Sequence, residues 1–121
     1  MRFLLMVYLD EVVEASRSSA ERDEMFARCH AHSTEWKRQG VMEGGEILTP
    51  TSLSTTIRVR DGRTILTDGP FAETKERLGG YYIVHCANQE EALRLAAEVL
   101  EIHRNPSEVI EVRPIWELAA A

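Results

Sequence analysis

Phe3-Leu4-Leu5-Met6-Val7-Tyr8-Leu9 carries no charge along its length, so both alternating faces of an extended chain are apolar there. Such a strand is covered on both sides and belongs in the middle of a sheet. Asp10-Glu11 ends it. Downstream, Ser18 and Glu21 have the spacing of a capping box, and Met25, Cys29, His32 and Trp36 then recur at steps of four, three and four, flanked by Phe26 and Ser33. This is an amphipathic helix of about five turns, closed near Gln39-Gly40 by the glycine.

Beyond the helix, Gly44 to Pro50 reads as a short strand after a flexible entry. Ser54 to Arg60 alternates, and Asp61-Gly62 before the β-prone Thr64 to Thr67 is the signature of a two-residue hairpin. A charged loop runs from Asp68 to Leu78, after which Gly79-Gly80 opens an apolar strand from Tyr81 to Cys86. Asn88 with Glu91 caps a second helix whose inward stripe is Ala92, Leu93, Ala96, Ala97, Val99, Leu100 and His103, with Leu95 and Ile102 off that stripe. Asn105-Pro106 stops it. Val109 to Trp116 is the last strand, and Pro114, which cannot donate to a ladder, places its end at an edge or bulge.

The order strand, helix, strand, hairpin, strand, helix, strand predicts an α+β chain. Its pattern is the split βαβ of a ferredoxin-like domain with an inserted β-hairpin, spanning 1–121 as a single domain. Two helices cover only one face of such a sheet. The doubly apolar first strand therefore predicts a homodimer in which a second sheet packs on the first.

The chain has 121 residues, and 20 acidic against 14 basic side chains give a formal charge of −6. With no Lys/Arg cluster, it lacks what binds a phosphate backbone or an anionic lipid surface, so neither nucleic acid nor membrane is an expected partner. Cys29 and Cys86 form no CxxC pair and no Cys/His ligand cluster, which predicts buried thiols and neither a disulfide framework nor a zinc site. The four histidines lack i,i+4 ligand spacing, so no metal is expected, and no glycine pattern of a nucleotide cofactor loop occurs. The apolar start is too short for a signal h-region and lacks a small-residue cleavage site, which predicts a cytoplasmic protein.

Asp68-Gly69-Pro70-Phe71-Ala72-Glu73-Thr74-Lys75-Glu76, continued by Leu78-Gly79-Gly80-Tyr81-Tyr82, resembles the DGPF-type branch of the YCII-related proteins. The resemblance extends to Tyr8-Leu9-Asp10-Glu11, to Gly45-Glu46, to Arg58-Val59-Arg60-Asp61-Gly62 and to Glu111-Val112-Arg113-Pro114 with Trp116-Glu117. It implies a dimeric α/β-barrel, and it implies no known reaction. Members are often found beside extracytoplasmic-function sigma factors, which implies a sigma factor as an associated partner. In related YCII proteins a first-helix histidine paired with an aspartate has been proposed as catalytic. Counted back from Gly40, that position falls near Cys29, with His30 one step away.

Physical reading of the motif has Gly69-Pro70 fixing a turn in which Asp68 accepts backbone N–H bonds, with Phe71 as a buried anchor pinning the loop. On an extended segment Glu73 and Lys75 point to one side, a pair suited to a carboxylate- or carbonyl-bearing ligand. His32 falls near the centre of the helical stripe, so its imidazole is expected to face the sheet and act as a general base. The expected site therefore joins His32 and Asp68 as catalytic candidates with Glu73, Lys75 and Arg113 as ligand-binding candidates in one cavity. Two functions fit: a cofactor-independent acid–base enzyme for a small organic compound, or a non-catalytic ligand-binding or regulatory module acting with a sigma factor.

Overall fold

The computed structural model describes residues 1–118. Strand β1 (Arg2–Asp10) leads through a short helix α1 (Glu11–Ala15) to the long helix α2 (Ser19–Arg38), followed by β2 (Met42–Ile47). The hairpin is β3 (Thr55–Arg60) and β4 (Arg63–Asp68); β5 (Glu76–His85), α3 (Gln89–His103) and β6 (Val109–Pro114) complete the chain. The four long-range strands form one antiparallel sheet in the order β2-β5-β1-β6. That order, with two helices packed on the sheet, is the ferredoxin-like α+β arrangement the chain's pattern predicts.

β1 is central, hydrogen-bonded to β5 on one side and β6 on the other. Its odd residues Phe3, Leu5 and Val7 enter the core with Tyr82 and Val84 of β5, Trp36 of α2 and Ala92, Ala96 and Val99 of α3. Its even residues Leu4 and Met6 lie opposite Ile83 and Tyr81 on the other face, which no helix covers, and all four are half-buried.

The local signals of the sequence hold where they are short-range. Ser18 and Glu21 form both arms of the capping box at the start of α2. Asp61 and Gly62 take φ of 52° and 72°, the left-handed pair that a two-residue hairpin turn demands. Helix α1 is an element the sequence reading missed; Asp10 caps it by accepting the Val12 N–H at 2.9 Å. On α3 the inward stripe is rotated from the expected one, because Leu93 is 51% exposed whereas Leu95 packs against the core.

Strand β5 begins at Glu76, three residues earlier than its glycines suggest, and Gly79-Gly80 lie inside it at a bulge where Val7 faces Gly80 and Tyr8 faces Leu78. A Cβ at Gly79 would come within 2.8 Å of the Leu9 side chain, and one at Gly80 within 3.0 Å of the Glu46 carbonyl oxygen. These glycines serve close strand packing.

The motif loop is also held differently from expectation. The Gly69 N–H donates to the Ser54 carbonyl and the Thr56 hydroxyl to the Gly69 carbonyl, each at 2.8 Å. Backbone bonds to the hairpin thus tie the turn down. Phe71 is 78% exposed, with the Arg58 guanidinium 5.5 Å from its ring centre, so it is no buried anchor of this chain. No helix among the described residues is long and apolar enough to cross a membrane.

Candidate functional site

Between α1, α2 and the helix-facing side of the sheet lies a cleft of about 1100 Å³. Its walls are mainly apolar, with Val7 and Leu9 from β1 and Met25 and Phe26 from α2, and polar groups converge at Tyr82, His103 and Glu108. A large apolar cleft with a few convergent polar groups is the usual form of a small-molecule site.

Those three residues form a hydrogen-bonded chain. The His103 Nδ1 is 2.7 Å from Glu108 Oε1, and its Nε2 is 2.8 Å from the Tyr82 hydroxyl. The ion pair is enclosed, with the His103 and Glu108 side chains only 10% and 5% exposed. Burial works to lower the His103 pKa, but the nearby Cys29 sulfur and the Glu108 carboxylate, which accepts from Nδ1, outweigh it and hold the imidazole up to about 9. At neutral pH His103 is therefore an imidazolium. Both ring nitrogens then donate, Nδ1–H to Glu108 and Nε2–H to the Tyr82 oxygen, which leaves the Tyr82 proton free to donate into the cleft. Burial pushes the Tyr82 phenol well above its usual value, so it stays protonated.

Each member is placed by a different element. Tyr82 is an inward residue of β5, His103 is the last residue of α3, and Arg104 at its C-cap takes a left-handed φ of 54° that turns the chain back. The buried Asn105 then fixes the connection to β6: its carbonyl accepts the Glu108 N–H at 3.1 Å, its Oδ1 accepts the Ser107 N–H at 2.8 Å, and its amide donates to Glu14 of α1 at 2.7 Å. Glu108 is in consequence delivered to His103 by a braced turn. A cation at a helix C-terminus is further favoured by the helix dipole.

The residues singled out in the sequence are not brought together. None of His32, Asp68, Glu73, Lys75 and Arg113 lines the cleft. Asp68 ends β4 on the separate hairpin sheet, exposed and without the backbone bonds expected of a turn cap. Lys75 is 4.0 Å from Asp10, beside a shallow depression with Arg77 and Thr51, and is not neutralised by Glu73, which is exposed. Arg113 lies opposite Leu4 on the helix-free face of the sheet, 3.4 Å from Glu111. The hairpin and the open sheet face both point these groups away from the helices, which is why one cavity does not hold them.

His32 faces inward as its periodicity indicates, yet it packs between α2 and α3. Its ring lies tilted against that of Trp36 with 4.1 Å between the centres, and Nε2 is 3.5 Å from Glu98 Oε1 in a contact that lacks hydrogen-bond geometry, leaving both ring nitrogens buried without a partner. Burial lowers its pKa against the opposing pull of Glu98. The neutral folded ring competes with an unfolded ring that binds protons below about pH 6.5, so this position costs stability as the solution is acidified. His32→Leu is expected to raise stability by about 1 kcal/mol at pH 7 and by more at pH 5, because it removes two unpaired buried nitrogens. Urea titrations at the two pH values check this; a variant less stable than wild type at both would show the imidazole to be a favourable core group.

In the sequence His103 is legible as the last inward residue of the second helix, whereas Tyr82 and Glu108 carry no signal linking them to it. Cys29 and His30, the neighbours of the expected first-helix histidine position, do line the cleft. Among the described residues no group of three His, Cys, Asp or Glu side chains has the geometry of a metal site.

Comparison with known proteins agrees with the fold. A family model described as the YCII-related domain matches residues 1–119. An uncharacterised protein of Rhizobium meliloti (strain 1021) is 36% identical over 116 residues, covering 95% of this chain and 92% of that protein.

Proposed function

The chain belongs to the YCII-related family, and from that footing we propose that it is a cofactor-independent acid–base enzyme acting on a small carbonyl- or carboxylate-bearing compound in the cleft. The observation that carries this is the enclosed Glu108–His103–Tyr82 chain opening on an apolar cavity. A substrate carbonyl oxygen accepts the Tyr82 O–H, the His103 Nε2–H replaces the proton that leaves, and the His30 imidazole, exposed in the same cleft, takes a proton from the carbon beside the carbonyl. The product of that step is an enol; return of the proton to the α-carbon from the other face, or to the far carbon where a double bond extends the enol, completes an isomerisation. His32 and Asp68 have no part in it.

Hydrogen–deuterium exchange beside the carbonyl of 2-heptanone, followed by NMR at pD 7, tests the reading. Wild type accelerates exchange, and Tyr82→Phe and His103→Gln each lower the acceleration by about 100-fold, the usual worth of a placed acid or base. No acceleration by wild type overturns the enzyme; saturable binding without exchange is the behaviour of the alternative ligand-binding module, the role in which a sigma factor partner belongs.

The same proposal includes a homodimer through the open sheet face, supported by Leu4, Met6, Tyr81 and Ile83 half-buried with no helix over them. Light scattering at micromolar concentration is expected to give twice the 13.7 kDa chain mass. Ile83→Glu, which puts a charge at the centre of that face, is expected to give the single-chain mass with the helix content intact.

A further inference from the structure

Five arginines of the described chain are half-buried, and four have partners. Arg2 pairs with Glu43 and Glu117, Arg17 with Glu14 and the His103 carbonyl, Arg28 with the Ile102 carbonyl, and Arg77 with the Thr51 hydroxyl and the Thr74 carbonyl. Arg22, which lines the cleft, has neither an ion pair nor a side-chain hydrogen bond among the described residues. A guanidinium drawn partly out of water beside Met25 and Phe26 without a counter-ion is unfavourable, and elsewhere in this chain such a group is always matched. The acidic groups of the cleft do not supply the match: Glu11 is taken by Thr51, Glu14 by Arg17 and Asn105, and Glu108 by His103, while Glu46 is exposed on the edge strand β2.

We propose that Arg22 is the anion-recognition residue of the cleft and that the ligand is an elongated organic carboxylate. The guanidinium suits this role because it binds both carboxylate oxygens in one plane. Arg22 and Cys29 are seven residues apart on the same face of α2, about 10 Å along the helix axis, and Cys29 lies against the His103 ring. The carboxylate is thereby held one end of an apolar span away from the Tyr82 hydroxyl. The class selected is an acid whose carboxylate and carbonyl are separated by several carbons, and short 2-oxo acids are too compact to reach both groups.

This assignment rests on the cleft being the ligand site, and its test reads binding alone, so it stands or falls apart from the reaction. Titration calorimetry compares 6-oxoheptanoate with its neutral isostere 6-oxoheptanamide. Wild type is expected to bind the acid at least about tenfold tighter. Arg22→Gln brings the two affinities within about twofold, and Arg22→Lys keeps part of the preference. Equal affinities in wild type, a preference that survives Arg22→Gln, or no binding of either probe overturns the assignment. A preference that depends on Arg22 in a protein that exchanges no protons leaves the anion site standing and removes the enzyme.

Discussion

Replacing Glu108 with glutamine is expected to lower stability by up to about 3 kcal/mol at pH 6.5, less whatever share Cys29 supplies, and to flatten its dependence on alkaline pH. The His103 pKa is raised from its ordinary 6.5 to about 9 in the folded chain. The folded state therefore holds a proton that the unfolded state gives up. The stability from this proton is complete below about pH 6.5 and is lost as pH climbs through 9, and 2.5 pKa units correspond to about 3 kcal/mol. Removing one member of a buried ion pair can cost 3–5 kcal/mol when the other charge is stranded, but an imidazolium escapes part of that by losing its proton. Urea denaturation of wild type and Glu108→Gln between pH 6 and 9.5 reads the effect. Parallel curves for the two proteins, or wild-type stability that rises over this interval, would show that the ion pair is not its source.

Trp36→Ala is expected to cost about 4 kcal/mol, within the usual range for deleting a buried aromatic, and to impair the site as well. Trp36 is buried at the junction of α2, the sheet and α3, its ring tilted against His32 at 4.1 Å and edge-on to Tyr82 at 5.9 Å. It fills the space behind the Tyr82 ring, and its loss lets that ring drop back from His103. A domain of this size has of order 5–15 kcal/mol in hand, so the variant remains folded in buffer with a markedly lower urea midpoint. Trp36→Phe keeps most of the volume and should keep most of the stability. A loss below about 1 kcal/mol for Trp36→Ala would mean that the core collapses into the space and that Tyr82 does not depend on it.

The sequence by itself determined what one segment can specify alone. Alternation or continuous apolarity marked β1, the Ser18–Glu21 pair marked the start of α2, Asn88 the start of α3, and Asp61-Gly62 the hairpin, because each signal acts between residues at most a few positions apart. From the order of those elements the α+β architecture followed. What faces what was decided only by tertiary structure. Helical periodicity showed that His32 and His103 both turn inward, but not that one would meet an unmatched glutamate and a tryptophan while the other met Glu108 and a tyrosine from a distant strand. Phe71 follows a turn that looks like an anchor, and its exposure depends on the hairpin forming its own sheet away from the core. Arg22 is one arginine among many in the sequence; its lack of a partner exists only after folding has assigned carboxylates and carbonyls to the others. The physical reason is common to all three cases: local propensity acts through neighbouring backbone, whereas burial, pairing and pKa depend on groups that long-range contacts bring within a few ångströms.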